Sequence, residues 1–379
     1  MSDKQKAIVA LTFVSQTCTA ALSALSVVPR SEDGASDHET TDLSVILKDL
    51  DSLLALIYNL STKLSLSLKP SSPSYSASLP LLQDIAEHTS AVVHCTDLLR
   101  VKLHGATLVK DTAYLSRGII ESMRAVVQTF LDNATSSDVA GEEYLVRTGT
   151  LHELITRARA PSGIPKDNQT AVRHHWKSNQ DALDDNLQEV DRMIEEAEND
   201  DAGNDVEDEF NDGWDELGIE HSRKMEEDEL ARTKNVRQIL RLTTLLHKRI
   251  LLNILSSSSG PVSNTASDSL LVQSDLLSAT SDDLATTLYT PQDPNSVLVE
   301  CINLTKVARS IRDELQMFFP APATLDDHLG KLVIEDNPTD LTIAKTRKKD
   351  ELWFHNCFEQ ILKVSGTLQE SLHVASGRT

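Results

Sequence analysis

An amphipathic stretch that runs directly into a strongly acidic one, at residues 164–220, constrains the fold of this chain more than any other feature. Pro165 is disfavoured inside a helix, whereas Asp167 or Asn168 can cap one by accepting its first free backbone N–H groups. The apolar residues that follow recur at intervals of three, four or seven, which predicts one stripe along a helix of several turns. They are Val172, Trp176, Leu183, Leu187, Val190 and Ile194.

The acidic part of this stretch predicts a division of the chain. Residues 195–216 include twelve Asp or Glu and no Lys or Arg. Such a segment repels itself and buries little apolar surface, which is typical of a disordered linker. We therefore expect an N-terminal helical bundle at 1–197, an acidic disordered linker at 198–224 and a C-terminal helical bundle at 225–379.

The charge of the chain limits the partners that it can bind. The formal net charge is -22, and the twelve acids of residues 195–216 correspond to more than half of it. Nucleic acids and anionic membranes are bound by basic surfaces, so we expect neither as a direct partner. Basic segments of proteins are compatible with this charge.

The cysteines and the N-terminus bear on the compartment. The four cysteines are scattered without a CxxC pair, which is typical of a reduced intracellular protein. The uncharged stretch 7–28 follows two lysines and could be a signal peptide or an anchor. Its apolar residues fall on one side and seven hydroxyl or amide residues interrupt it, whereas a membrane span is apolar all round. A bundle helix is the favoured interpretation, and targeting remains the alternative.

Helical periodicity continues through the rest of the chain. Further helices are predicted at 43–68, 79–103, 108–134, 143–159, 225–255, 270–289, 296–318 and 346–375. The helix at 225–255 is the most apolar. Its apolar residues cover more than one face, which indicates a central position packed on several sides. No strand alternation occurs, so the fold class is all-α, built from two up-and-down bundles.

Motifs for catalysis or cofactor binding are incomplete. His152 and Glu153 begin an HExxH-like pattern, but Thr156 replaces the second metal ligand. His174 and His175 are adjacent on a helix and point about 100° apart, which spoils them as a chelating pair. The sequence has no glycine-rich phosphate loop and no GxSxG nucleophile motif. We therefore expect no enzyme activity, no metal and no cofactor.

The linker itself allows two interpretations. Most acidic runs are solubilising spacers. However, this one also carries apolar residues, of which Phe210, Trp214 and Leu217 are candidate docking residues. Residues 210–217 could fold as a short amphipathic helix on a partner or on the chain's own bundle, and the two alternatives are equally open.

Several short islands, in this order and spacing, resemble the cyclin-D-interacting protein family (GCIP) from about residue 43 onward. They are Gly105-Ala106-Thr107-Leu108 after Leu98-Leu99-Arg100-Val101, Gly149-Thr150-Leu151-His152-Glu153-Leu154 leading to Gly163-Ile164-Pro165-Lys166-Asp167-Asn168, the acidic linker, and Ser281-Asp282-Asp283-Leu284-Ala285 with Tyr289 and Pro291. The resemblance implies an all-helical architecture similar to the vinculin and α-catenin type of bundle.

The same resemblance implies a function. Family members are non-catalytic interaction proteins of cytoplasm and nucleus, and negative regulators of transcription and cell-cycle entry that lack a DNA-binding basic region. The expected partners are therefore proteins, namely cyclins, transcription regulators or signalling adaptors. A vinculin-like structural adaptor is the alternative function. No cyclin-binding residue can be carried over from the family.

Overall fold

The computed structural model describes residues 1–26, 42–135, 141–199, 225–256, 263–319 and 338–376. Within these ranges the chain forms eleven α-helices, a short 3-10 turn at Gln316–Phe318 and no strand, so the predicted all-α class is confirmed. The helices are α1 (Asp3–Ala24), α2 (Leu43–Ser67), α3 (Tyr75–Asp97), α4 (Val101–His104), α5 (Ala106–Thr135), α6 (Glu143–Arg159), α7 (Asn168–Asn199), α8 (Glu227–Asn253), α9 (Asn264–Thr286), α10 (Pro294–Leu315) and α11 (Pro338–Ser376).

Contacts divide the chain into two compact units, Met1–Val172 and Arg173–Thr379. In the first unit α1 contacts α3 and α5, α2 contacts α3 and α6, and α5 contacts α6. All five of these long helices contribute to one apolar core. Its members include Leu11, Leu54, Ile57, Leu64, Leu82, Ile85, Ile119, Met123, Val126, Phe130, Leu151 and Ile155.

Helix α1 packs one side into this core. Ser2 and Gln5 form a capping box, in which the Gln5 backbone N–H donates to Ser2 Oγ at 3.3 Å and the Ser2 N–H donates to Gln5 Oε1 at 3.0 Å. Leu11 and Val14 are buried in the core. Of the described helices, α1 alone is long and apolar enough to cross a membrane, but the core helix of a bundle passes the same test of length and composition. Its one-sided burial is the packing predicted for a bundle helix.

The interface between α2 and α6 includes polar contacts beside the apolar core. Arg159 Nε donates to Asp51 Oδ1 at 2.8 Å at one end of it. His152 stacks on Tyr58 with ring centroids 4.0 Å apart, and its Nε2 lies 3.0 Å from Ser61 Oγ. The histidine of the incomplete HExxH pattern is therefore a helix-packing residue, and burial lowers its pKa.

Two of the sequence islands meet at the start of α5. Gly105 has a φ of +90°, a conformation that glycine adopts without the steric cost of a side chain. The buried Asn168 lies directly against it, and Asn168 Oδ1 accepts the Leu108 backbone N–H at 3.0 Å. Asp167 caps α7 instead, since its Oδ1 accepts the Thr170 backbone N–H at 2.7 Å. The two adjacent cap candidates thus act on two different helices.

The second unit is built from the rest of α7 and from α8 to α11. Helix α8 contacts α9 and α11, and α10 contacts the same two helices. Trp176 and Val190 of α7 are fully buried here. The contact boundary after Val172 differs from the predicted boundary at 197, because the apolar stripe of α7 packs in the second unit beyond that residue.

All four cysteines are free and buried: Cys18 and Cys95 in the first unit, Cys301 and Cys357 in the second. Burial raises the pKa of the Cys18 and Cys357 thiols to about 11 and also raises the pKa of Cys95 and Cys301.

Candidate interaction surface

The docking residues predicted from the sequence, Phe210, Trp214 and Leu217, lie in the range 200–224, outside the described residues. The acidic linker and its role therefore stay predictions, as does the up-and-down order of the helices. Within the described part of the chain, no group of three His, Cys, Asp or Glu residues is placed to hold a metal ion. A candidate site within the described residues therefore consists of side chains on the helices.

Helix α8 is basic over most of its length, in contrast to the negative net charge of the chain. Between residues 230 and 253 it carries six Lys or Arg residues and no Asp or Glu. Three of these cations form ion pairs with neighbouring helices. Lys234 Nζ lies 2.7 Å from Glu198 Oε1, Arg237 pairs with Asp191, and Arg249 Nη2 lies 2.8 Å from Asp350 Oδ1.

The exposed side of α8 forms a straight stripe, which we call the α8 stripe. It consists of Lys234, Gln238, Arg241, Leu245, Lys248 and Leu252, all of which are exposed. Their alternating spacing of four and three residues is the spacing with which one helix contacts another along its length. Leu245 is 46% exposed and Leu252 59% exposed. Within the described part of the chain, Arg241 and Lys248 have neither a hydrogen bond nor an ion pair.

A buried polar cluster fixes α8 from behind. His247 is fully buried, with Nδ1 2.9 Å from Gln180 Oε1 and Nε2 2.7 Å from Ser274 Oγ. The Trp176 ring stacks on the His247 ring at 4.3 Å between centroids, and its Nε1 donates to the His247 carbonyl at 3.1 Å. Asn179 Nδ2 donates to Ser274 Oγ at 2.9 Å. Side chains of α7, α8 and α9 are thereby held in one arrangement.

The histidine of this cluster is neutral at physiological pH. Burial lowers the pKa of His247 from 6.5 to about 3, because the imidazolium would lose its hydration in the core. The cluster therefore orients α8 through neutral hydrogen bonds and ring stacking. It adds no charge behind the stripe.

Both ends of α8 are also fixed by buried acids. Near its start, the buried Glu229 accepts the Gln292 backbone N–H at 2.9 Å through Oε1. Near its end, Asp350 of α11 accepts from Arg249 at 2.8 Å and from Asn253 Nδ2 at 2.7 Å. A helix held at both ends and along its inner side presents its outer side rigidly, which lowers the entropic cost of binding.

The stripe combines exposed leucines with exposed cations, which makes it a candidate surface for binding a partner. Two leucines beside unpaired cations suit an amphipathic helix with acidic residues beside its apolar side. Sequence reasoning placed this helix centrally, and its contacts with α9 and α11 agree with that position. The periodicity of the helix does not reveal the stripe, because Leu245 fits its apolar pattern although it is half exposed. The signal that could have found it is the repeat of cations every seven residues, Lys234, Arg241 and Lys248, in a helix segment without acids.

Comparison with known proteins places the whole arrangement in a family. Residues 49–196 match the family model described as Grap2 and cyclin-D-interacting, N-terminal, and residues 210–313 match its C-terminal counterpart. No curated protein matches the chain. The two models together cover more than half of the sequence and include α8 with its whole stripe. The chain belongs to the Grap2 and cyclin-D-interacting family.

Proposed function

We propose that this chain is a non-catalytic regulator that binds D-type cyclins and restrains cell-cycle entry or transcription in cytoplasm and nucleus. The match to both family models is the observation that carries the proposal, because the family is described by its interaction with Grap2 and cyclin D. Binding of a D-type cyclin by this chain itself is open to a direct experiment.

The α8 stripe supports this function with a surface of suitable chemistry. Its two exposed leucines supply apolar area, and Arg241 and Lys248 supply charge that no described residue neutralises. Apolar anchors give most of the affinity of an interface, whereas charges around them set orientation and association rate. We assign partner binding to this stripe.

Binding of a purified D-type cyclin to the full chain tests the proposal. We expect the wild-type chain to bind, and the double substitution Leu245→Asp with Leu252→Asp to raise the dissociation constant at least about tenfold, since both anchors are lost. The matched control is Val272→Asp with Leu276→Asp on α9. Val272 and Leu276 lie in the same unit and are about as exposed as the two leucines of the stripe. The control should bind as the wild type does.

Two results would overturn the proposal. If the wild-type chain does not bind the cyclin, D-type cyclins are not its partner. If both double variants lose affinity equally, the stripe is not the binding surface. Proximity labelling in cells distinguishes the structural-adaptor alternative. Cyclins, kinases and transcription factors among the labelled proteins support the regulator, whereas actin-linked proteins alone support the adaptor.

A further inference from the structure

The α8 stripe is an exposed surface of opposite charge to the chain that carries it. The chain has a net charge of -22, but α8 presents Arg241 and Lys248 without acidic partners among the described residues. On the same side of the helix, Leu245 lies between these two cations and Leu252 lies after Lys248. An occupant of this stripe should combine apolar residues at helical spacing with several acids.

A segment of the same chain has this composition. Residues 206–217 place Val206, Phe210, Trp214 and Leu217 at intervals of four, four and three, the spacing of one side of a helix. The same twelve residues include six acids and no Lys or Arg. Apolar and acidic residues in this pattern complement the leucines and cations of the stripe.

The connection to α8 is short enough to bring the two together. Leu217 precedes Glu227, the first residue of α8, by ten residues, which span up to about 33 Å when extended. Leu245 lies about 27 Å along the helix from Glu227, at 1.5 Å per residue. The thirteen residues from Trp214 span about 43 Å, and Leu252 lies about 38 Å along the helix. On the other side of the segment, Glu198 precedes Val206 by eight residues and pairs with Lys234 at the start of the stripe.

The family match includes residues 210–217 of this segment. The N-terminal family model ends at residue 196 and the C-terminal model begins at residue 210. Phe210, Trp214 and Leu217 therefore belong to the matched C-terminal region together with α8, whereas residues 197–209 belong to neither model. A pure spacer needs no such pattern of aromatic residues.

We propose that residues 206–217 dock on the α8 stripe of the same molecule, with their apolar side against Leu245 and Leu252 and with their acids facing Arg241 and Lys248. Because the contact is intramolecular, its effective concentration is on the order of millimolar, and a weak contact suffices to populate it. The docked segment competes with any partner for the stripe. That competition rests on the proposed function, whereas the docking does not.

Hydrogen exchange of the isolated full chain tests the docking without a partner. We expect the backbone amides of residues 206–217 to exchange at least about tenfold more slowly than in an unstructured peptide of the same sequence. The variant Arg241→Glu with Lys248→Glu should return them to the peptide rate. The matched control, Lys306→Glu with Arg309→Glu on the exposed side of α10, makes the same change of charge in the same unit and should keep the protection.

A charge exchange identifies the contact directly. Adding Asp212→Lys and Asp215→Lys to the Arg241→Glu, Lys248→Glu variant should restore slow exchange, since opposite charges then face each other again. Circular dichroism of each variant checks that its helices are intact.

Three outcomes would overturn the proposal. Wild-type amides at 206–217 that exchange at the peptide rate would show that the segment is not docked. Protection that survives Arg241→Glu with Lys248→Glu would place it elsewhere. Protection that grows with protein concentration would assign the stripe to a second copy of the chain. Each of these results leaves the separate measurement of cyclin binding unaffected.

Discussion

At the scale of single residues, the position of His247 shows how the second unit combines polarity with burial. Both ring nitrogens have partners, Gln180 and Ser274, and the ring stacks on Trp176. Within the described residues, the Gln180 amide nitrogen is buried without a partner. Buried polar groups that are satisfied specify one arrangement, and an unsatisfied one costs free energy. The cluster thus fixes the positions of α7, α8 and α9 more than it adds stability.

The lowered pKa of His247 predicts a pH dependence of stability. The unfolded chain binds a proton on this residue below about pH 6.5, whereas the folded chain does so only below about pH 3. The unfolded state therefore binds more protons between these values, and the contribution of His247 to stability is present above pH 6.5 and is lost as the pH falls. Between pH 7 and pH 5 this loss amounts to about 2 kcal/mol.

Urea denaturation at both pH values measures this effect. The variant His247→Gln stays neutral, so its free energy of unfolding should change by about 2 kcal/mol less than that of the wild type between pH 7 and pH 5. Other titrating groups affect both proteins equally. Identical pH dependence in the two proteins would mean that His247 is not buried in its neutral form.

The contact between Gly105 and Asn168 predicts opposite effects of one substitution at two glycines of the first unit. A Cβ on Gly105 would lie 2.0 Å from Asn168 Cγ, and the φ of +90° disfavours any side chain. Gly105→Ala should therefore destabilise the protein by more than about 1 kcal/mol. Gly118 lies inside α5 with open space around its Cα, so Gly118→Ala should stabilise by about 0.5–1 kcal/mol through helix propensity.

Thermal unfolding of both glycine variants checks the sign of each effect. A neutral Gly105→Ala variant would mean that Asn168 does not cap the start of α5. Gly118→Ala is the control for alanine itself, since it makes the same chemical change without a steric contact.

At the scale of elements, the bounds predicted from periodicity agree best for α6 and α2. The prediction 143–159 coincides with α6, and 43–68 differs from α2 by one residue. The predicted helix at 79–103 is less accurate. It starts four residues late, because Pro80 lies within α3, and it includes the separate short helix α4. Proline is tolerated near the start of a helix, so Pro80 alone does not show where α3 begins.

The packing of α1 predicts a contrast between its two sides. Leu11 is fully buried and Phe13 is 60% exposed. Leu11→Ala should lower the free energy of unfolding by about 2–5 kcal/mol because it leaves a cavity, whereas Phe13→Ala should change it by less than about 0.5 kcal/mol. Chemical denaturation of the full chain measures both. Equal effects of the two substitutions would contradict a core position for α1 and would revive the anchor interpretation of residues 7–28.

At the scale of the whole molecule, the helix α7 crosses the boundary between the two compact units. Its first residues, Asn168 to Val172, belong to the first unit and the rest to the second. The amphipathic periodicity predicts this helix from the sequence, but it does not show which residues of the chain its apolar side contacts. That information is non-local, since Trp176 meets His247 from 71 residues away. The exposed stripe on α8 was missed for the same reason.

A cut in the acidic segment should therefore leave a complex rather than two free fragments. Limited proteolysis is expected to cleave within residues 200–224, in particular on either side of residues 206–217, because the sequence predicts a linker there. Helix α7 then stays with the N-terminal fragment but remains packed on α8 and α9 through Trp176 and Asn179. Under native conditions the two fragments should elute together from a size-exclusion column.

The variant Trp176→Ala provides the comparison. It removes the stacked ring and the indole hydrogen bond, at a cost of about 3–5 kcal/mol, so its fragments should separate after the same cut. Fragments of the wild-type chain that separate without denaturant would place α7 in the first unit, as the boundary at 197 implies.

The burial of the four cysteines has a practical consequence for labelling chemistry. Maleimides and oxidants react with the thiolate form, which is scarce at neutral pH when the pKa of a thiol is about 11, as for Cys18 and Cys357. The folded chain should therefore be almost unreactive toward such reagents, whereas the unfolded chain offers four sites. A single cysteine introduced at position 245 or 306 could then carry a fluorophore or a spin label without removal of the native thiols. The reactivity of the native thiols would in turn report local opening of either unit.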